Sequence, residues 1–356
     1  MRENFSHDTI ERLKARAGYA CSFPDCHAPT SGPSHESASQ TANTGVAAHI
    51  HAASQGKGAR RRLDLSNFSK SLLSDYSNGI WMCETHAKLI DTDEVRFTSE
   101  MLSRWRELAE LRALLGQQTG RTVQVYLRNG HEVPLAVVKK SVTRNDNDVM
   151  NDMCDAVLDS CIVDVWGKDI GHAVRDIVAE LMDNAFRHGD ARVFELDINL
   201  NRVRVRSDDG PYSFGQLLSH TQRHGGQQAA ASLMKLNDRL LTSYRREDGY
   251  NILDIEFVTS SEQVLRTTVC SVDYSDFVVT LGSLHQLPAL YTDCETIYIV
   301  LSPRQHLIPS IARNLSIHLQ NLAAKQKRIV LIGSAISEGV VLTLKSDFPN
   351  MQIMQV

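Results

Sequence analysis

The chain has 356 residues, of which 42% are apolar and 22% are charged. This length exceeds the size at which one hydrophobic core keeps growing, so the sequence predicts two domains. The formal net charge of -4 gives no support for a general affinity for nucleic acid, so any contact with DNA requires a local basic surface. The run at residues 57–62, Lys-Gly-Ala-Arg-Arg-Arg, is such a surface.

The sequence has no apolar run long enough to span a membrane, and its N-terminus lacks the apolar core of a signal peptide. We therefore expect a cytoplasmic protein without membrane contact. In that compartment cysteines are metal ligands or buried apolar residues more often than disulfides. Four of the seven cysteines lack ligand spacing and are interpreted as core residues, namely Cys154, Cys161, Cys270 and Cys294.

The first 118 residues are predicted to form a small module of helices and short strands. Its predicted elements are a helix at 6–17, strands at 46–50 and 80–82, and helices at 83–90 and 97–115. A basic, partly helical insertion at 57–77 separates the two strands. Residues 119–149 are predicted to contain a hairpin at 121–138, around the turn dipeptide Asn129-Gly130, followed by a linker.

Residues 150–356 alternate predicted helices and strands, which is typical of an α/β sandwich. The helices are predicted at 169–188, 227–241 and 307–325, and near the end of the chain. Strands are predicted at 193–198, 202–206, 252–258, 263–269, 276–281, 296–301 and 328–332, and after the terminal helix. Residues 290–356 form an additional α/β part without an assigned role. The predicted fold class of the whole chain is α+β.

Two short-spaced pairs of soft ligands lie in the first module. They are Cys21-x4-Cys26 and Cys83-x2-His86. Thiolate and imidazole groups in such pairs are typical of a tetrahedral structural zinc site. The sequence therefore predicts bound Zn²⁺.

The segment between the pairs carries Gly45-Val-Ala-Ala-His49-Ile-His51 and, later, Asn78-Gly-Ile-Trp-Met. In this order with the ligand pairs, the segment resembles a zinc-containing HNH endonuclease over residues 10–110. The resemblance implies a ββα-metal module in which His49 is the general base that activates water. It also implies that Asn78 orients His49, and that Mg²⁺ or Mn²⁺ assists hydrolysis of a DNA phosphodiester.

This chain departs from that pattern at two positions that usually supply ligands of the catalytic cation, since they are Ala48 and Ala87. The nearest candidate ligands are His51, Asp91 and Asp93. The alternative is a catalytically dead fold, which would serve as the DNA-binding module of an ATP-dependent repair or chromosome-maintenance factor.

A second set of residues follows in the C-terminal half. Glu180 and Asn184 share one face of the predicted helix, Asp208-Asp209-Gly210 follows a predicted strand, and Gly225-Gly226 precedes a further helix. This order resembles the GHKL ATPase superfamily. The resemblance implies that Glu180 polarises the attacking water and that Asn184 binds the Mg²⁺ of ATP. Asp208 and Gly210 would contact the adenine, and Gly225 and Gly226 would belong to the lid over the phosphates.

The chain departs from this pattern as well, because Pro211-Tyr212 stands where the superfamily usually has a second glycine. A nucleotide-free fold used as an interaction platform is the alternative for this half. Histidine-kinase activity is not expected, since a predicted hairpin and linker precede this half in place of a helix with a phosphoacceptor histidine.

The two resemblances together predict a DNA endonuclease that is regulated by ATP binding or hydrolysis. Closure over ATP would promote homodimerisation or higher assembly. An endonuclease that is regulated by ATP fits bacterial antiphage defence. A companion defence protein is a further expected partner.

Overall fold

The computed structural model describes residues 3–211, 233, 239–274, 291, 294, 296–302, 307–323, 327–334, 336–349 and 351–356. Helices and strands both contribute substantially to these residues, so the predicted α+β class is confirmed. Gly225, Gly226, the strand predicted at 276–281 and most of the helix predicted at 227–241 lie outside the described residues. None of the described helices is long and apolar enough to cross a membrane.

The N-terminal elements surround a two-stranded hairpin. In chain order they are α1 (His7–Arg16), β1 (Ser31–Pro33), β2 (Thr41–Asn43), β3 (Gly45–His49), β4 (Gly79–Cys83), α2 (Glu84–Ile90) and α3 (Ser99–Thr119). Strands β3 and β4 are antiparallel, with His49 opposite Gly79. Two 3-10 turns, Lys70–Ser74 and Tyr76–Asn78, lead into β4. The elements predicted here are confirmed, although α3 begins two residues later and ends four residues later than expected.

The hairpin predicted at 121–138 is wrong. Residues Val123–Arg128 form helix α4, which begins at Thr122, whose side chain accepts a hydrogen bond from the Val125 amide. Val123 and Leu127 are four residues apart and both buried, so helical spacing places them on one apolar face. Strand β5 (Leu135–Val142) follows and pairs with a strand of the C-terminal half, so this stretch is part of the main sheet.

The main sheet has five antiparallel strands in the order β5-β6-β7-β9-β8. The remaining strands are β6 (Phe194–Leu200), β7 (Arg202–Ser207), β8 (Leu240–Glu247) and β9 (Tyr250–Phe257). Leu240 and Leu241 were predicted to be helical and lie in β8 instead. Apolar residues alternate along β6 and β7, which gives the sheet one buried face.

Three helices contribute to the core beside this sheet. They are α5 (Asn147–Asp159), α6 (Ile162–Trp166) and α7 (Lys168–His188). The buried residues of α7 and of the sheet belong to one hydrophobic cluster, which continues through Trp105 of α3 to Ile80 and Met82 of β4. The N-terminal module therefore shares its core with the main sheet.

The rest of the chain forms a second, four-stranded parallel sheet. Its strands are β10 (Ser271–Asp273), β11 (Thr296–Val300), β12 (Arg328–Gly333) and β13 (Gln352–Gln355), in sequential order. The helices of this region are α8 (Ser261–Thr267), α9 (Pro309–Ala323) and α10 (Glu338–Asp347). The strand predicted at 263–269 is wrong, because Ser260 caps α8 and Val264 is buried on one helical face. Residues 150–356 thus carry two sheets.

Two of the four cysteines interpreted as core residues differ from that prediction. Cys270 and Cys294 form a disulfide that connects the residues just before β10 and β11. Nothing in their spacing, 24 residues apart, distinguishes a disulfide from two unpaired thiols. Cys161 is buried and Cys154 is half-buried, and both are free thiols.

A buried carboxylate holds three strands of the main sheet together. Asp254 of β9 accepts hydrogen bonds from Arg204 Nε of β7 at 2.6 Å and from Arg245 Nη1 of β8 at 2.7 Å. Burial alone would raise the pKa of Asp254, but the bonds from the two guanidinium groups lower it below its usual value. The folded state therefore favours the ionised carboxylate.

We expect Asp254→Asn to lower the free energy of unfolding by about 2 kcal/mol at neutral pH, because the buried site loses its charge-assisted hydrogen bonds to two partly exposed guanidinium groups. The contribution is present above the ordinary aspartate pKa of about 3.9 and is lost as the pH falls through the lower folded pKa. Urea denaturation across this range measures it. Asp248→Asn, at an exposed position of the same hairpin, is the control. A stability difference that is unchanged at low pH would contradict the assignment.

Candidate functional site

The four predicted zinc ligands lie together. The ligand atoms of Cys21, Cys26, Cys83 and His86 are all within 4.8 Å of one another. His86 Nδ1 is 3.5 Å from Cys21 Sγ and 3.3 Å from Cys83 Sγ. Ligand separations of about 3.8 Å follow from tetrahedral Zn–S bonds of about 2.3 Å. The group could hold a metal ion, and its donor set and spacing are compatible with zinc.

The surroundings of this Cys/His centre favour a bound cation. Burial raises the pKa of the Cys21 thiol to about 12, because a thiolate out of water lacks solvation. The Phe23 ring stacks on the His86 imidazole at a centroid distance of 3.9 Å and contacts the edge of Trp105. The Phe23 amide also donates to Cys21 Sγ at 3.5 Å. A dication would supply the charge that a buried thiolate requires.

Side chains of helices α3 and α6 both bind the loop that carries Cys21 and Cys26. Arg112 of α3 donates to the Cys21 carbonyl at 3.1 Å. Asp164 of α6 accepts from the Asp25 amide at 3.2 Å and contacts the His27 ring. The sequence offered no signal for these contacts, because Asp164 is 139 residues from Asp25. The Cys/His centre is thereby tied to the helices of the C-terminal half.

The predicted base, His49, lies at the end of β3 and is half-buried. Its ring stacks on Phe5 at a centroid distance of 3.9 Å, and its Nε2 is 3.0 Å from the Glu3 carbonyl oxygen. A carbonyl can only accept, so Nε2 carries the hydrogen. In the neutral imidazole the basic lone pair then lies on Nδ1.

Asn78 joins the loop after β3 to the turn before β4. Its Oδ1 accepts from the His51 amide at 2.7 Å, and its Nδ2 donates to the carbonyls of His51 at 2.9 Å and Leu73 at 3.0 Å. The Asn78 carbonyl accepts from the Ile50 amide. Asn78 is 4% exposed, and both its amide oxygen and its amide nitrogen are hydrogen-bonded, so it fixes the backbone that follows His49. That Asn78 orients His49 stays a prediction.

Arg61, in the run predicted to be a basic surface, points inward. Its side chain is 5% exposed and donates to the carbonyls of Ile50 at 2.8 Å and Ile90 at 2.6 Å. The exposed cations of the run are Lys57, Arg60 and Arg62. The basic surface is therefore smaller than predicted, and Arg61 connects the His49 loop to the end of α2.

The candidate ligands of a catalytic cation are distributed around Arg61. Asp91 accepts from Arg61 Nη2 at 3.2 Å, and His51 Nδ1 is 3.2 Å from the Arg61 carbonyl oxygen. Burial lowers the pKa of His51, so its ring favours the neutral form that metals require. Asp93 caps the amides of two following residues. Among the described residues, only the Cys/His centre gathers three or more potential ligands.

Ala48 and Ala87, which stand at the usual ligand positions, are both buried. Ala48 lies opposite Ile80 in the hairpin. Methyl groups at these positions extend the apolar core of the module and offer no donor to a cation.

The described part of the predicted nucleotide site lies at the C-terminal end of α7. Glu180 and Asn184 occupy one face of that helix, and Gly189, one turn further, accepts from the Gly210 amide at 3.3 Å. The α7 end therefore contacts the turn after β7. Burial, together with the charges of Asp183 and Asp176, raises the pKa of Glu180, which makes it a stronger base.

The two aspartates of that turn have different roles. Asp208 accepts from the amides of Arg192 at 2.7 Å and Val193 at 3.0 Å. Asp209 is buried and accepts from Ser207 at 2.6 Å and from Asn251 of β9 at 2.8 Å. Sequence reasoning missed Asn251, which also donates to the Gly210 carbonyl and so ties the turn to the sheet.

We expect the wild-type chain to bind one Zn²⁺ and Cys26→Ser to lower the zinc affinity by at least about tenfold, because one thiolate ligand is lost. Competition with a chromogenic chelator measures the stoichiometry and the affinity. Cys154→Ser makes the same exchange outside the centre and should leave both unchanged. Full zinc affinity in Cys26→Ser would rule out the four-ligand centre.

Comparison with protein-family models, with curated proteins and with solved structures finds no match for this chain.

Proposed function

We propose that the protein is an endonuclease of the HNH type, whose ββα module is held together by structural zinc. The observation that carries this proposal is the buried amide of Asn78, which binds both backbone groups of His51. An amide that joins the loop after His49 to the Leu73 carbonyl fits a role in orienting the His49 side chain. Burying a polar amide costs more free energy than burying an apolar side chain, so a buried asparagine beside so short a hairpin is consistent with a specific role.

The state of His49 supports its role as general base. With Nε2 donating to the Glu3 carbonyl, a neutral ring carries its basic lone pair on Nδ1. Stacking on Phe5 restricts rotation of the ring. A base with a defined tautomer and orientation can accept a proton from a water that attacks a phosphodiester.

The catalytic cation is proposed to be Mg²⁺ or Mn²⁺, with His51 and Asp91 as protein ligands. Mg²⁺ commonly keeps several waters and uses one or two carboxylates, so a short ligand set suffices. The cation would stabilise charge on the phosphate and on the leaving oxygen. Lys57, Arg60 and Arg62, exposed beside this loop, supply positive charge for the DNA backbone.

A second candidate function has its own support. Ala48 and Ala87 offer no ligand, and the Arg61 guanidinium, 3.2 Å from Asp91, opposes a dication at that carboxylate. These observations favour a module that binds DNA without cutting it, within an ATP-dependent repair or chromosome-maintenance factor. Retained DNA binding without hydrolysis distinguishes this candidate from the endonuclease.

The C-terminal half is proposed to be a GHKL-type ATP-binding unit. The proposal is supported by the contact between the α7 end, which follows Glu180 and Asn184, and the turn of Asp208 and Gly210. In this proposal Asn184 binds Mg²⁺ with ATP, Asp208 and Gly210 receive the adenine, and Glu180 polarises water. Gly225 and Gly226, outside the described residues, complete the lid.

The two halves are proposed to act together. Their shared core gives a direct route by which nucleotide binding could alter the module that carries His49. Dimerisation on ATP binding would place two modules on one DNA duplex. The proposed biological setting is antiphage defence in the cytoplasm, with a companion protein, because cutting under nucleotide control limits damage to host DNA.

Nicking of supercoiled plasmid with Mg²⁺ or Mn²⁺ tests the endonuclease. We expect His49→Ala to lower the rate by about 10²-fold or more, because a general base contributes about 10²–10⁴-fold. His35→Ala, in the exposed loop between β1 and β2, is the matched control and should retain the rate. Zinc content confirms that each variant is folded. Cutting that does not depend on His49 would overturn the proposal, and DNA binding without cutting would favour the second candidate.

Calorimetry with a non-hydrolysable ATP analogue and Mg²⁺ tests the nucleotide site. We expect Asn184→Ala to weaken binding by at least about tenfold, since a metal-bound ligand contributes on that scale. Asn151→Ala, at an exposed position of α5, is the matched control. Equal affinity in both variants, or no binding to the wild type, would refute the ATP assignment.

A further inference from the structure

A cavity of about 400 Å³ lies between the loop of the Cys/His centre and helices α3, α4 and α6. Its volume falls within the range of small-molecule sites. Trp105 and Leu108 contribute an apolar wall, and Arg112 and Arg121 line the same space. None of the residues proposed to bind DNA, the catalytic cation or ATP lines it.

The cavity has an excess of positive charge that its own carboxylate does not offset. Arg112 holds the Cys21 carbonyl with one nitrogen and lies 4.0 Å from Asp164 with another, while its side chain remains 26% exposed. Arg121 is exposed at the rim. Asp164 already accepts from the Asp25 amide and contacts His27. The lining thus holds two guanidinium groups and one carboxylate, and that carboxylate already has other partners.

The wall also contains a polar group without a partner. Ser22 is among the lining residues, and its hydroxyl, which is buried from solvent, has no hydrogen-bond partner among the residues that the structure describes. A buried hydroxyl in that state costs free energy that a bound polar group could recover. Apolar lining with a few convergent polar groups is the usual composition of a ligand site.

We propose that this cavity binds a small organic anion, with its apolar body against Trp105 and Leu108 and its carboxylate or phosphate group on Arg112 and Arg121. Guanidinium groups recognise both kinds of anion through paired hydrogen bonds. The inference is independent of the proposed nuclease and ATP sites, since it uses none of their residues.

The location gives the ligand a structural effect. An occupant would contact the loop that carries Cys21 and Cys26 and, at the same time, α6 of the C-terminal half. Because it binds only when those parts are in place, it would raise the melting temperature of the zinc-loaded protein, and the increase would grow with the logarithm of its concentration above the Kd.

Gly116 of α3 provides a way to fill the cavity without disturbing the fold. It lines the space, and a Cβ added there meets no atom within 4 Å. Gly116→Leu adds an isobutyl group at an exposed position of the lining, from which it can enter the cavity, and the substitution also favours the helix. Gly116→Ala gives a similar gain in helix propensity while leaving most of the volume, so it is the matched control.

The test is calorimetry of the full, zinc-loaded chain with benzoate and with phenyl phosphate as probes, and benzyl alcohol as the neutral counterpart. We expect the wild type and Gly116→Ala to bind at least one anion, and Gly116→Leu to weaken it by about tenfold or more. Arg121→Gln should weaken it by about fivefold, because one charge-assisted contact is lost. The tighter of the two anions identifies the kind of acidic group.

Failure of both anions to bind the wild type at millimolar concentration would overturn the proposal. So would equal binding by Gly116→Leu, since the probe would then lie elsewhere, or equal binding of benzyl alcohol, since charge would then be irrelevant. Each of these outcomes can occur with the nuclease intact, so the two proposals fail separately.

Discussion

The centre formed by Cys21, Cys26, Cys83 and His86 is the constraint on which the N-terminal module depends. The β3–β4 hairpin is only five residues long on each side, too short to be stable by itself. A metal bound between the loop at the start of the module and the end of β4 would join distant parts of the chain and would order them in one step. The aromatic ring of Phe23 extends this cross-link into the core, because it contacts both His86 and Trp105.

Outside the apolar core, hydrogen bonds from buried polar side chains stabilise the segment between β3 and β4. The long segment between β3 and β4 contains little regular structure, and its backbone groups need partners other than a strand. Asn78 satisfies three backbone groups, and Arg61 binds carbonyls from the β3 loop, α2 and the start of α3. These two buried side chains define the shape of the loop beside His49. The geometry around the proposed base is therefore set by hydrogen bonds, which tolerate substitution poorly.

The elements with clear periodicity could be predicted from the sequence, as could the four ligands, because both depend on local spacing. Helix α7 and strands β6 and β7 lie within two residues of their predicted bounds. Arg61 could not be distinguished from the arginines beside it, since its inward position depends on carbonyls of residues far away in the chain. The wrong prediction of a hairpin at α4 has a related cause. The alternating valines of Val123–Arg128 are compatible with a strand, but Val123 and Leu127 pack together into the core, which favours a helix. Asp164 and Asn251 act through long-range contacts and had no local signal.

Strand β5, in the stretch that resembled a linker, has a consequence for how the protein can be divided. It pairs with β6 along six positions and also packs against α3, so it belongs structurally to both halves. A C-terminal fragment that begins after residue 149 would leave β6 as a bare edge with unpaired amides and carbonyls, which invites aggregation. An N-terminal fragment that ends at residue 118 would expose the apolar side of α3. The two halves of the chain share strand β5 and one hydrophobic core, so they form a single structural unit. The proposed activities therefore have to be studied in the whole molecule.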